Sequence, residues 1–130
     1  INLGMVVIDG EYLVGKIVEV NYSLSRVLLL SDLNSKIPVI VEPNTVFSIL
    51  SGTGKDYGII QYSKKYEDIK NESVIYTSGA GSLFKAGIPI GRMNINNLSD
   101  EKKVDFFSDF SQLKFVKVVS FKKSENKWQG

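Results

Sequence analysis

Valine and isoleucine account for 27 of the 130 residues and alanine for two. Side chains branched at Cβ lose χ1 freedom in a helix and pack well on a pleated surface, so this imbalance predicts an all-β chain. Runs rich in Val, Ile, Leu and Tyr recur at 5–8, 12–20, 25–31, 37–42, 46–51, 57–62, 73–77, 88–95 and 114–121, each bounded by Gly, Pro, Asn, Asp or Ser. They are read as strands. Such close spacing leaves no room for the helical crossovers of a dozen or more residues that parallel strands require, so a small barrel or sandwich is predicted.

Local signals refine this reading. Asp9-Gly10 stands between two strand patterns as a hairpin signal, because glycine takes the positive φ of a primed turn. Val27-Leu28-Leu29-Leu30 is apolar on both faces, which predicts a strand covered on both sides. Pro38 and Pro43 bracket Val39-Ile40-Val41 and predict an edge strand, where a missing N–H costs little. Segments 63–73 and 96–111 are polar and read as loops, the first tethered by Tyr66 and Ile69. The second carries Phe106, Phe107 and Phe110; aromatic residues in such a loop either plug the open end of a barrel or meet a partner. Residues 122–130 have no pattern and read as a frayed tail.

The chain contains no histidine and no cysteine. Cys/His zinc sites, Ser-His-Asp or Cys-His nucleophilic catalysis, thiol redox centres and haem ligation through either residue are thereby excluded. A formal charge of +2, dispersed along the chain, is not the footprint of a nucleic-acid binder. No apolar run approaches the roughly 20 residues that span a bilayer, and no signal peptide precedes the first strand pattern, so this piece is expected to be soluble though its parent need not be. A chain without thiols is compatible with reducing and oxidising compartments alike.

Two motifs fail on inspection. Ser51-Gly52-Thr53-Gly54-Lys55 has Ile49 where a phosphate-binding loop needs its first glycine, and Gly79-Ala80-Gly81-Ser82-Leu83-Phe84 has Phe84 where a dinucleotide fingerprint needs its third. Asp9, Glu11, Asp32 and Glu42 lie near strand ends, but spacing alone does not bring any two to the ~5 to 9 Å separation of glycoside hydrolysis. They read as solvated turn residues, with Asp32 capping its own turn at Asn34-Ser35. No cofactor and no metal are expected. The alternative is a small carboxylate-based hydrolase or a glycan-binding barrel using Tyr57, Tyr62 and Tyr76; an oligonucleotide-binding barrel is weaker, because acidic residues intersperse the lysines.

Several phrases in order then resemble one family. They are Gly4-Met5-Val6-Val7, Leu13-Val14-Gly15-Lys16-Ile17, the block from Ser25-Arg26-Val27 to Ile37-Pro38-Val39, the block from Tyr76-Thr77-Ser78-Gly79 to Gly87-Ile88-Pro89-Ile90-Gly91, and Asp109-Phe110-Ser111 through Val119. Together they resemble the extracytoplasmic β domain of the MreC family of bacterial rod shape-determining proteins, over residues 4 to 119. Two departures stand out: Asn71-Glu72 replaces the family's usual Gly-Asp pair, and 96–108 is long and polar.

The resemblance implies two small interleaved six-stranded β-barrel lobes within 1–121, roughly 1–40 with 88–121, and 41–87. It implies a non-enzymatic, periplasmic scaffold of the cell-elongation machinery that controls cell shape, binds and activates a class B penicillin-binding protein, and links peptidoglycan synthesis to MreB, MreD and RodA. It also implies self-association, and a full-length protein held in the cell membrane by an N-terminal helix outside this piece.

Among the matching residues, Gly15, Asp32, Pro38, Gly79, Gly81, Gly87, Pro89 and Gly91 are read as structural turns or close approaches, and Arg26 as satisfying a turn carbonyl or carboxylate. Leu83 and Phe84, between glycine turns, are either tucked under a lobe or presented to a partner. With Ile88 and Tyr76 they form the candidate partner-binding set.

Overall fold

The computed structural model describes residues 3–61, 69–80, 85–95, 101–110 and, for the backbone alone, 117–119. Among the described residues ten strands form two sheets. The first, in the order β10–β1–β2–β3, comprises β1 (Val6–Asp9), β2 (Tyr12–Val20), β3 (Ser25–Leu29) and β10 (Lys117–Val119). The second is a closed six-stranded barrel, β4–β5–β6–β9–β8–β7, built from β4 (Lys36–Glu42), β5 (Val46–Gly52), β6 (Tyr57–Gln61), β7 (Val74–Thr77), β8 (Pro89–Ile95) and β9 (Lys102–Phe106). The all-β expectation with a six-stranded barrel holds, and every pairing is antiparallel. The second lobe is a four-stranded sheet among the described residues.

The chain is interleaved through β10, which pairs with β1 at Val6–Val119 after the whole barrel has been completed. The expected division at 41–87 requires correction. The barrel spans Lys36 to Phe106, because β8 pairs with β7, and β9 closes the ring between β8 and β6.

β9 itself lies in a segment read from sequence as a loop. A short barrel strand needs only one inward apolar side chain, and Val104 supplies it, fully buried opposite Met93. Its neighbours point outward, and the Lys103 ammonium sits 4.5 Å from the Tyr57 ring centroid. Phe106 and Phe110 pack against the core, 5.1 Å apart between ring centroids.

Two further expectations are corrected. β4 is no edge strand, since it pairs with both β5 and β7. Pro38 is tolerated because its carbonyl turns toward Ser78, just past the end of β7, so the missing N–H falls on a side where the ladder has already ended. β3, in contrast, is the outermost strand of its sheet among the described residues, and Val27, Leu28 and Leu29 are only half-buried.

The core runs through both sheets. Val6 and Leu13 from the first sheet join Leu30, Ile37, Val39, Val41, Leu50, Ile75, Ile90, Met93 and Val104 in one buried cluster. The opposite face of the first sheet buries Val7, Val14 and Ile17, and Phe110 packs against both clusters. Alternation at period two sets this division: in β4 the odd positions 37, 39 and 41 are buried and the even ones are not.

The sheets are fixed to one another by a backbone clamp. The turn after β3 lies against the end of β5, with Gly52 N–H donating to Ser35 O (2.9 Å) and Gly54 N–H to Ser31 O (2.7 Å). A Cβ on Gly52 would fall inside van der Waals contact of the Asp32 and Leu30 carbonyl oxygens. Asp32 also caps this turn, its Oδ1 accepting from the Asn34 amide at 2.8 Å.

The candidate turn glycines divide into two groups. Gly79 and Gly87 take positive φ beyond strand ends, whereas Gly15 and Gly91 lie within β2 and β8, where a missing Cβ admits the carbonyls of Leu28 and Asp105. Pro38 and Pro89 are likewise strand residues, and Gly81 lies outside the described residues. In the β1–β2 hairpin the two linking residues are Gly10 and Glu11, and only Gly10 has positive φ, at 63°. That pattern belongs to a type II′ turn, one residue beyond the position expected from Asp9-Gly10.

Gly52→Ala is expected to lower unfolding free energy by about 3 kcal/mol, since neither carbonyl can retreat without breaking the clamp. Gly10→Ala, with open space around it, should cost only about 1 to 2 kcal/mol of left-handed backbone strain. Urea denaturation of both variants checks the order.

Candidate functional site

In a small closed barrel the interior accepts every second residue of each strand, and the rest must face outward. In most strands the outward positions should then be polar. β4, β5 and β7 break this rule. Their outward positions carry Pro38 and Ile40, Phe47 and Ile49, and Val74 and Tyr76, and β6 adds Tyr57 and Ile59.

The strand register brings these residues side by side. Phe47 on β5 is opposite Ile40 on β4, Ile40 is opposite Tyr76 on β7, and Tyr76 is opposite Pro89 on β8. One apolar row therefore crosses four neighbouring strands. A second, shorter row pairs Ile49 with Pro38. Phe47 is 65% exposed, and the other members of the two rows are half-buried.

Polar side chains flank the band on both sides, interrupted by Val74 above and Ile59 below. Below it Lys36 Nζ donates to Ser51 Oγ (3.2 Å), and Ser51 Oγ donates to Gln61 Oε1 (2.7 Å). Above it Glu42 faces Val74, which in turn faces Arg92, and Glu42 Oε1 accepts from Thr45 Oγ1 at 2.8 Å. An exposed apolar patch with a polar rim is the pattern of a surface that meets a partner.

The structure treats the four candidate binding residues differently. Tyr76 lies at the centre of the apolar row. Ile88 packs against the barrel core, with its N–H bonded to Thr77 Oγ1 at 2.9 Å. Leu83 and Phe84 lie outside the described residues, as does Tyr62. Sequence reasoning missed Phe47, Ile40 and Ile49, although the signal was present: 37–41 and 46–50 are apolar at nearly every position, more than one buried face requires.

Arg26 makes an ion pair with Glu19 at 3.2 Å in which both side chains are more than half exposed. Such a pair contributes little, on the order of 0 to 1 kcal/mol. Among the described residues no group of three or more Asp or Glu is placed to hold a metal ion.

Phe47→Ser is expected to change stability by about 0.5 kcal/mol or less, as for an exposed position, whereas Ile75→Ala, buried directly beneath the band, should cost roughly 2 to 5 kcal/mol. Chemical denaturation of the two variants separates an outward role from a core role.

Comparison with known proteins completes the picture. The family model described as "Rod shape-determining protein MreC, barrel core" matches residues 1–120. The cell shape-determining protein MreC of Caulobacter vibrioides is 31% identical over 120 residues, 92% of this chain, which spans 34% of that relative's length. A crystal structure of MreC from Pseudomonas aeruginosa superposes with a TM-score of 0.81 at 28% identity, covering 92% of this chain and 81% of that one. MreC in a complex with the penicillin-binding protein PBP2 from Helicobacter pylori has the same fold, with a TM-score of 0.67 at 17% identity over 85% of this chain and 73% of that one. With the barrel, the interleaved strand and these matches agreeing, the chain belongs to the MreC family of rod shape-determining proteins.

Proposed function

We propose that this chain is a non-enzymatic docking module that binds a class B penicillin-binding protein through the apolar band Phe47–Ile40–Tyr76–Pro89. The observation that carries the reading is the band itself: four strands of a closed barrel present apolar side chains outward, in register, with polar side chains on either side. The Helicobacter pylori relative in complex with PBP2 supports the choice of partner.

Closure of the barrel constrains how the partner binds. Each barrel strand is paired on both sides, so an incoming chain cannot extend this sheet by backbone hydrogen bonds and must dock with side chains. A large aromatic residue such as Phe47 or Tyr76 then serves as the energetic anchor. Binding that favours one conformation of the transpeptidase shifts its population toward that state, which is how a scaffold without catalytic groups activates an enzyme.

In the same reading the module works on the extracytoplasmic side of the cell membrane, anchored by a part of the protein outside these 130 residues, and controls cell shape by connecting peptidoglycan synthesis to MreD, RodA and MreB. Self-association belongs to this reading as well; the half-covered strand β3 is the edge at which a second copy would pair.

Phe47→Asp and Tyr76→Asp are each expected to weaken binding to the cognate penicillin-binding protein ectodomain at least tenfold, which is about 1.4 kcal/mol. Calorimetric titration checks this, with Leu83→Asp and Phe84→Asp as a separate arm for the 83–84 pair. Unchanged affinity in both band variants would remove the barrel face from the interface.

A further inference from the structure

A cleft between the β8–β9 pair and the turn ahead of β7 has a chemistry unlike that of the apolar band. It is an open cleft of about 380 Å³ whose polar lining residues are solvent-exposed. Its walls carry Asn71, Glu72, Arg92, Asn94, Asp105 and Phe107. Planar groups able to make paired hydrogen bonds thus stand beside an aromatic ring.

Three of these side chains, Asn71, Asn94 and Asp105, are held by hydrogen bonds within the protein. Asn71 Oδ1 accepts from the Ile95 amide at 2.9 Å, leaving its amide nitrogen as a donor. Asn94 Nδ2 donates to Asp105 Oδ2 at 2.9 Å, leaving the Asn94 carbonyl and the second Asp105 oxygen as acceptors. The Arg92 guanidinium lies 5.6 Å from the centre of the Phe107 ring, which itself packs on Tyr12 at 4.9 Å. Glu72 is fixed at a φ of 66° with its N–H bonded to Met93 O. Polar groups positioned before the ligand arrives lose little entropy when it binds.

Charge narrows the ligand class. One guanidinium against two carboxylates leaves the lining with one negative charge, which disfavours phosphate, sulfate or carboxylate ligands. Arg92 in turn disfavours a compact cation. A neutral ligand remains, one whose groups donate and accept at once. Adjacent hydroxyls on a sugar ring do both: each O–H can donate to Glu72 or Asp105 while its oxygen accepts from Arg92 or Asn71. The apolar C–H face of such a ring suits the phenylalanine wall.

We propose that this cleft is a binding subsite for a neutral polyhydroxylated ligand, one saccharide unit of a glycan. None of its six named residues belongs to the apolar band, and only Arg92 also stands among the polar side chains beside it.

The test is a series of ¹H–¹⁵N spectra of the 130-residue chain titrated with cellobiose, with N,N′-diacetylchitobiose and, in a parallel arm, with inorganic phosphate. Saturable shifts are expected in the millimolar range with a neutral disaccharide, concentrated at the backbone amides of Asn71, Glu72 and Asn94 and at the two asparagine side-chain amides. Arg92→Ala and Glu72→Gln, both at exposed positions, should keep the native spectrum and weaken binding at least fivefold. The proposal is overturned if neither disaccharide gives saturable shifts, if both variants bind as tightly as the parent, or if phosphate reproduces the pattern.

Discussion

A six-stranded barrel closed on itself has room inside for half of its side chains, and the remaining half must face outward whatever their chemistry. Everything distinctive about this molecule follows from how β4, β5 and β7 meet that constraint. Their inward positions, Ile37, Val39, Val41, Val46, Leu50 and Ile75, fill the core. Their outward positions are also largely apolar, and the antiparallel register aligns them into a band rather than scattering them. Exposed apolar area of this kind costs solubility and gains nothing within the chain. It makes physical sense when another protein covers it.

The band needs a rigid platform, and two features provide one. Barrel closure leaves none of its strands with an open edge, so local fraying has no starting point along its length. The clamp at Gly52 and Gly54 holds the first sheet against the barrel through backbone hydrogen bonds to Ser35 and Ser31, while Val6, Leu13 and Phe110 extend the core across the same junction. β10 then returns to pair with β1. The two ends of the described chain are thus tied together in one sheet after the barrel is complete, so both ends of the barrel segment lead into the first sheet.

How much of this was legible in the sequence differs by element. Strands with many β-branched residues, such as 12–20, 37–42 and 46–51, announced themselves, and so did the class of the fold. β9 did not, because Val104 is the one fully buried residue in Lys102–Phe106 and the charged residues around it mimic a loop. Pro38 misled in the opposite sense: proline marks an edge only if its missing N–H would face a neighbour, and here it falls beyond the end of β7. Tyr76 was singled out as a binding residue, yet its companions Phe47 and Ile40 lie about thirty residues away in sequence. Only the pairing of β5, β4 and β7 brings the three together, and no one-dimensional spacing encodes that register.

The outward face of β4, β5 and β7 is the proposed functional surface, and family membership sets the expected partner. The most direct measurement is methyl cross-saturation on the chain labelled at Ile and Val, recorded with the unlabelled class B penicillin-binding protein ectodomain. Attenuation should concentrate at the methyls of Ile40, Ile49 and Val74 and spare Val20 and Val27 on the first sheet. Attenuation confined to Val20 and Val27, with the barrel methyls untouched, would contradict the account.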